Sequence, residues 1–222
     1  MSLVVAPELL VIAVAASAFA VLCRSIARLS STYERVRGVP LALLVGLYAM
    51  NSSQALFNPL FNWSVVALLY ATAGELLVSN RFVAALLCFS FSVIFYALAF
   101  QGVALTLDWA HLRVALLCWV AAAAWLSRLL WAQQRSLVVP LNFYLVLDAA
   151  LLLSAYAAER TLRRDMPWLF VAAFHFVLGD AVLFFDEFVA AMPFAALVIP
   201  ALCYGGHITA AVGVLTLPQQ GS

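Results

Sequence analysis

The chain has 222 residues, of which 67% are hydrophobic and only 9% are charged, and its mean hydropathy is +1.09. These values lie far outside the range of water-soluble globular domains and predict an integral membrane protein that is surrounded by a lipid bilayer. The formal net charge of +1 gives no indication of a nucleic-acid partner, and four widely spaced cysteines suggest neither a metal pair nor a disulfide framework.

Four apolar segments in the first half of the chain are each about long enough to cross a bilayer as a helix. They lie near residues 6–27, 39–57, 62–80 and 82–101. The first segment has no basic region before it and no obvious cleavage site after it, so we expect a retained helix and not a signal peptide. Loops that contain Arg, Asn, Pro or Ser separate the segments.

Four further apolar segments follow near residues 110–128, 137–158, 167–187 and 189–216. The boundary between the last two is the weakest, because only DEFVAAMP interrupts them. The chain is therefore predicted to be all-α, with eight transmembrane helices. The loops that would lie on one side carry most of the arginines, so the positive-inside bias places both termini away from the cytoplasm.

The two halves of the chain resemble each other. Each half contains a segment that opens with VPL, and Glu75 and Asp180 each follow a glycine, 105 residues apart. We expect one integral membrane domain over 1–222, in which a four-helix unit is used twice, at 6–101 and at 110–216. An even number of helices per unit gives both copies the same orientation in the membrane.

The two acids are predicted to lie at matched depth. Glu75 and Asp180 each come about 13 residues into a crossing, which at a rise of 1.5 Å per residue leaves them roughly 10 Å from the end of the helix. A charge at the bilayer centre costs roughly 2.5–3.5 kcal/mol, and such groups usually face the bundle interior or a wet cavity. A hydrogen-bonded structural role is the alternative for each acid, but the pair favours one cavity with two carboxylates on its wall.

Other polar residues in the apolar segments are candidates for substrate binding. Asp148 lies in the sixth segment, and His207 follows two glycines that leave room for a ligand head group. His175 precedes the second acid by five residues, which places it off the same helix face. For a membrane histidine the common alternative is a hydrogen bond between helices. Tyr96 and Tyr144 are the remaining candidates for substrate binding.

The chain contains no HExxH, no glycine-rich phosphate loop and no GxSxG elbow, so we expect neither a metal nor a cofactor. Six stretches stand out in their order along the chain: RGVPLALL at 37–44, ALLYATAGELLVSNRF at 67–82, FYALAF at 95–100, VVPLNFYLVLDA at 138–149, FVLGDAVLFFDEF at 176–188 and CYGGHITAAVGVL at 203–215. Together and in this order they resemble the YhhN-like lysoplasmalogenase family.

The resemblance implies a membrane hydrolase of lipid metabolism that cleaves the vinyl-ether bond of a lysoplasmalogen, a lysophospholipid, into a fatty aldehyde and a glycerophospho-alcohol. One carboxyl group, kept protonated by its apolar surroundings, would protonate the β-carbon. The other, ionised, would stabilise the oxocarbenium-like cation and take a proton from water. Glu75 and Asp180 are the expected catalytic pair, with the two roles left unassigned, in a bacterial inner membrane.

The chain departs from the family's pattern at several of these positions. Gly74-Glu75 stands where the family typically has Gly-Asp, and Gly179-Asp180 stands where it tends to have Ser-Asp. Val93 replaces a histidine, and Gly206-His207 replaces an Ala-Gln pair. Carboxylate chemistry survives the first two changes, although the longer side chain at position 75 moves the oxygens by about one carbon–carbon bond.

Two other classes of function fit the same residues. A small proton-coupled transporter, or a lipid-binding membrane protein without catalysis, also places acids within the membrane and uses duplicated helical units. Transporter sites use interrupted helices, for which Pro200 is the internal candidate. Haem held by His175 and His207 would require the two imidazoles to face each other at one depth.

Overall fold

The computed structural model describes residues 7–26, 30–51, 58–78, 80–103, 138–162 and 166–216, together with 117, 120–125, 127–129, 131 and 135. The described residues form helices and turns, without a strand, so the all-α prediction is confirmed for them. The helices are α1 (Pro7–Ser25), α2 (Ser30–Val36), α3 (Val39–Met50), α4 (Pro59–Leu77), α5 (Phe82–Gln101), α6 (Val138–Leu162), α7 (Trp168–Phe188) and α8 (Ala195–Leu215).

Five helices, α4 to α8, are long and apolar enough to cross a membrane. The apolar stretch of α1 at Leu10–Arg24 is shorter, and α3 has 12 residues. The described residues at 120–125 and 127–129 are helical as well. Five of the eight predicted crossings are therefore supported, while the segments predicted near 39–57 and 110–128 extend into residues outside the described ones.

Two helix boundaries differ from the predicted ones for local reasons. α4 begins three residues early because the Asn58 side chain accepts the backbone N–H of Leu60 at 3.0 Å, and the proline between them suits the first helical position. α8 begins at Ala195, six residues late. Here the Asp186 carboxylate accepts the backbone N–H of Met192 at 2.6 Å and holds the connection in a turn.

The helices follow one another around the bundle in chain order. α3 packs against α1 and α4, α5 against α4 and α6, and α7 against α6 and α8. α8 returns to the start of the chain and contacts α1, α3 and α4. The pairs α4–α5 and α7–α8, which a duplicated unit would relate, both pack as neighbours, and the duplication itself stays a prediction.

Small residues let these helices approach one another. α4 buries Ala67, Ala71 and Gly74, and α7 buries Ala172 and Gly179, on the faces that meet their neighbours. Serine and threonine hydroxyls on α4, α5 and α8 donate to the carbonyl oxygen four residues earlier. These polar side chains are therefore satisfied within their own helices.

A buried arginine fixes the corner between α2 and α3. Arg37 Nη2 donates to the carbonyl oxygen of Leu76 at 3.0 Å, and Nη1 pairs with Glu34 Oε2 at 3.3 Å. The Tyr204 hydroxyl donates to the backbone carbonyl of Arg37 at 2.8 Å. These contacts tie the corner to α4 and α8, so α2 is held beside the end of α4 that carries Glu75.

Candidate functional site

A cavity of about 150 Å³ lies between α1, α2 and the helices α4 to α8. Its wall is mostly apolar, with a small set of polar groups that converge on it. Among its lining residues are Glu75, Asp180, Tyr96, Tyr144, His207 and Cys203. The two acids, which come from α4 and α7, thus reach the same internal space.

Close helix contacts at the preceding glycines help to place these acids. A Cβ atom at Gly74 would stand 2.7 Å from Phe89 Cε1, so only glycine lets α4 approach that ring on α5. A Cβ atom at Gly179 would stand 3.3 Å from Leu202 Cβ on α8. Each glycine therefore faces the paired helix, and the acid that follows it points to the cavity.

Glu75 is buried, with 8% of its surface exposed, and its two carboxylate oxygens differ. Oε1 accepts a weak hydrogen bond from the Cys203 thiol, with the sulfur 3.9 Å away, whereas Oε2 has no hydrogen-bond partner among the described residues. Arg37 and Arg24 are the cations that interact with this carboxyl group. A buried oxygen without a donor costs about 1–3 kcal/mol. Glu75 is thus poised to meet a donor that a ligand or water supplies.

Asp180 is half-buried and lies beside two groups from α6. The Tyr144 phenol is close enough to interact with its carboxyl group, and Asp148, one turn further along α6, interacts with it electrostatically. Asp148 is itself buried, and its Oδ1 has no hydrogen-bond partner in the described part of the chain. Asp148 does not line the cavity, so it stands behind the wall that Tyr144 and Asp180 form.

Tyr96 and His207 form a buried polar pair across α5 and α8. The Tyr96 hydroxyl lies 2.9 Å from His207 Nδ1, and either group donates according to the imidazole tautomer. Phe176 packs against both rings, with centroid distances of 5.5 Å to Tyr96 and 4.7 Å to His207. A Cβ atom at Gly206 would stand 2.6 Å from the Phe176 ring, so this glycine permits the stacking.

His175 lies apart from this group. Its Nδ1–H donates to the carbonyl oxygen of Val171 at 2.7 Å, within its own helix, and the ring faces Gly205. It is not among the residues that line the cavity, whereas His207 is. The two histidines that a haem would require therefore do not face one shared space.

The cavity has a cationic mouth, formed by an arginine that the sequence analysis did not single out. Arg24, in the last turn of α1, is exposed, whereas the other lining residues are buried or half-buried. Its guanidinium carbon lies 5.1 Å from the centroid of the Tyr33 ring. Burial, with a smaller contribution from Glu75, raises the pKa of Tyr33 to about 12, so its hydroxyl keeps its proton at neutral pH.

The sequence-based reasoning missed three lining residues for different reasons. Tyr33 was assigned to the first loop and Arg24 to the end of the first apolar segment, because nothing in the sequence shows that α2 packs against α1 and brings Tyr33 to the cavity. Cys203 was read as a small buried hydrophobe, because a lone thiol in an apolar helix carries no other signal. Its position two residues before the glycine pair of CYGGH was the one available indication.

The size and lining of the cavity limit what it can hold. A space of this volume accommodates a ligand about the size of benzene. A longer molecule would fit only in part, and the rest of it would extend out of the cavity. Two carboxyl groups and three phenols in an apolar enclosure can exchange protons with a ligand held there.

The described residues contain no cluster of three or more His, Cys, Asp or Glu side chains placed to hold a metal ion. The donors that reach the cavity are oxygens suited to proton transfer, one thiol, and one imidazole that already bonds to Tyr96. This donor set favours acid–base chemistry on an uncharged group.

The fold and the cavity define a multi-pass helical membrane protein with paired carboxyl groups on one internal space. The sequence profile of the YhhN family matches residues 35–214, which span most of the chain and include both acids. The chain belongs to the YhhN family. Searches of the curated proteins and of the solved structures found no match.

Proposed function

We propose that this YhhN-family protein hydrolyses the vinyl-ether bond of lysoplasmalogens, with Glu75 and Asp180 as the catalytic pair. The observation that carries the proposal is that the two acids, from separate helices, line one small apolar cavity. A lone structural acid would bond to its neighbours and would need no space. Here Glu75 Oε2 has no hydrogen-bond partner among the described residues.

The reaction proceeds in two stages, protonation with addition of water and then breakdown of the hemiacetal. The protonated carboxyl group gives its proton to the β-carbon of the vinyl ether, and the double-bond electrons form the new C–H bond. Water then adds to the oxocarbenium carbon and loses a proton to the carboxylate. As the C–O bond of the hemiacetal breaks, the carboxyl group that took the proton from water protonates the leaving oxygen and the other carboxylate accepts the hydroxyl proton, which gives one aldehyde and one alcohol and restores both acids.

The charges around the two acids suggest how the roles divide. Arg24 and Arg37 interact with Glu75, and positive charge at that side favours a carboxylate that accepts a proton and stabilises the cation. Asp180 has the carboxyl group of Asp148 beside it, and two neighbouring carboxyl groups favour a shared proton, which only Asp180 can present to the cavity because Asp148 does not line it. We therefore assign Asp180 as the general acid and Glu75 as the general base.

The remaining polar residues would bind and orient the lipid. Tyr144, beside Asp180, is placed to steady the carboxyl group that gives up its proton. His207 and Tyr96 present a polar edge to the vinyl-ether oxygen. Val93, at the position where the family often has histidine, lines the same cavity as His207.

The carrier alternative receives less support. α8 runs without interruption through Pro200 from Ala195 to Leu215, so the candidate break in that helix is absent. Transporter sites built on discontinuous helices use the exposed backbone groups of such breaks. Pro200 instead lines the cavity as part of a continuous helix.

The test is aldehyde release from a lysoplasmalogen by the purified protein, compared between variants. Asp180→Asn removes the transferable proton and should lower the rate by about 100- to 10,000-fold, the usual contribution of general acid–base catalysis. Glu187→Gln, an exposed acid on the same helix, is the matched control and should retain the full rate. An Asp180→Asn variant as active as the control would end the proposal.

A further inference from the structure

The search for further sites leads to the mouth of the cavity. Arg24 is its exposed residue, so a ligand that enters from that side passes the guanidinium before it reaches Glu75 and Asp180. Arg24 ends the apolar stretch of α1, where a long side chain can place its charge at the level of lipid head groups.

The surroundings hold the Arg24 guanidinium while leaving its donors available. It stacks over the Tyr33 ring at 5.1 Å, and Tyr33 is itself buried. In contrast, Arg37 is taken up by Glu34 and by the carbonyl oxygen of Leu76. Within the described part of the chain, Arg24 forms no ion pair at 4.0 Å or less.

We propose that Arg24, supported by Tyr33, is a phosphate-binding subsite that holds the phosphodiester of a single-chain lipid while its ether linkage lies between Glu75 and Asp180. The inference rests on the proposed function and adds a specificity determinant to it. A guanidinium offers paired N–H donors that match two phosphate oxygens, and an arginine held on an aromatic face loses less freedom when it binds. The small volume of the cavity is a second reason for placing the phosphate at Arg24, because the head group has to lie outside the cavity.

A simpler role for Arg24 is that of a counter-ion to Glu75, with which it interacts. The two roles differ in what they do to a lipid without a phosphate. A counter-ion affects every substrate alike, whereas a phosphate-binding residue affects only lipids that carry the phosphate.

The experiment compares two non-cleavable lipids, 1-O-hexadecyl-lysophosphatidylcholine and 1-O-hexadecylglycerol, which share the ether chain and differ in the phosphate head group. Their affinity for the full-length protein in detergent micelles is measured by equilibrium binding. The variants are Arg24→Gln, Arg24→Lys and, as the matched control, Arg35→Gln, which removes an exposed arginine of α2 that does not line the cavity.

Arg24→Gln should weaken binding of the phospholipid by about 10- to 100-fold, the size expected for lost hydrogen bonds to a charged group. Its affinity for the alkylglycerol should stay unchanged. Arg24→Lys should fall between, and Arg35→Gln should match the wild type. Equal losses for both lipids, or no loss for either, would overturn the subsite.

Two further measurements separate this inference from the proposed reaction. Glycerophosphocholine as a competitor should displace the phospholipid only weakly, because it lacks the chain; equal competition would overturn the assignment to a lipid head group. Aldehyde release from the matching vinyl-ether lysolipid is assayed in parallel. Binding that depends on Arg24 without any aldehyde release would contradict the proposed reaction and support the phosphate-binding subsite. Aldehyde release that does not depend on Arg24 would support the reaction and contradict the subsite.

Discussion

Among single residues, Glu75 is a clear example of a buried polar group that is only partly hydrogen-bonded. One of its oxygens accepts only a thiol hydrogen bond at 3.9 Å, and the other has no donor among the described residues. A carboxyl group kept only for stability would gain from full pairing, since a buried charge without partners is costly. Asp148 Oδ1 is also without a partner among the described residues, but Glu75 differs because it lines the cavity, where there is room for a donor.

The hydrogen-bonded pair of Tyr96 and His207 leads to a prediction about stability. Tyr96→Phe removes the hydroxyl that lies 2.9 Å from His207 Nδ1 and leaves a buried ring nitrogen without its partner. The free energy of unfolding should fall by about 1–3 kcal/mol. Tyr70→Phe is the control, because Tyr70 lies outside the cavity wall and its ring, which the change keeps, stacks on Phe95.

Thermal or denaturant unfolding in detergent measures both variants. Equal stability of the two would mean that the Tyr96–His207 contact contributes nothing. A loss confined to Tyr96→Phe would support the pair as part of the framework of the cavity.

The sequence alone was enough to identify residues that are unusual within their own apolar segment. Glu75 and Asp180 are acids inside apolar helices after a glycine, and Tyr96, Tyr144 and His207 lie in the same segments; all five line one cavity. Their catalytic and binding roles stay predictions. The placement of Arg24 and Tyr33 depends on how α1 and α2 pack beside the cavity, which is a tertiary arrangement that no local pattern encodes.

At the scale of helices, contacts between glycines and rings set the shape of the cavity. Gly74 faces the Phe89 ring and Gly206 faces the Phe176 ring, and both rings line the cavity. A methyl group at either glycine must displace a ring, and the free space lies on the cavity side. Close helix packing and cavity volume are therefore linked in α4–α5 and α7–α8.

Gly74→Ala and Gly206→Ala should each lower aldehyde release by at least about tenfold while lowering the free energy of unfolding by only about 1 kcal/mol. The reason is that the displaced ring moves into the space that the substrate needs. Gly46→Ala on α3 is the control, because a Cβ atom there meets nothing within 4 Å.

Gly46→Ala should leave the activity unchanged and should be neutral or stabilising by up to about 1 kcal/mol. Full activity in both cavity-side variants would show that the rings move elsewhere. A large loss of stability without a change in the activity of the folded fraction would lead to the same conclusion.

Helix positions were more predictable than helix ends. The apolar segments correctly located α4 to α8, because hydropathy over about 20 residues reflects the thickness of the bilayer. The start of α8 was missed because the side chain of Asp186 captures the backbone N–H of Met192. A side-chain hydrogen bond of this kind shifts the start of a helix without changing the apolar pattern, so hydropathy alone does not reveal it.

For the whole molecule, the number of crossings determines which side the cavity mouth faces. Eight crossings with an Arg-rich inner side place the turn after α4 in the cytoplasm, and the end of α8 and the connection after α3 outside. Five of the crossings have the length and composition that are required. The orientation in a bacterial inner membrane stays a prediction.

Fusions of alkaline phosphatase and of green fluorescent protein after Asn51, Asn80 and Thr216 would test this arrangement. Phosphatase activity, which requires export, should appear after Asn51 and Thr216, and fluorescence should appear after Asn80. The same signal at Asn51 and Asn80 would contradict a crossing by α4, and the same signal at Asn80 and Thr216 would contradict the five crossings predicted between them.

The central claim is that Glu75 and Asp180 act together on one bond within one cavity. It is tested most directly by a double-mutant cycle of aldehyde release with Glu75→Gln, Asp180→Asn and the combined variant. Residues that act as a unit have strongly non-additive effects, so the combined variant should be about as slow as the slower single variant. Rate losses that multiply in the combined variant, or full activity in either single variant, would contradict the claim.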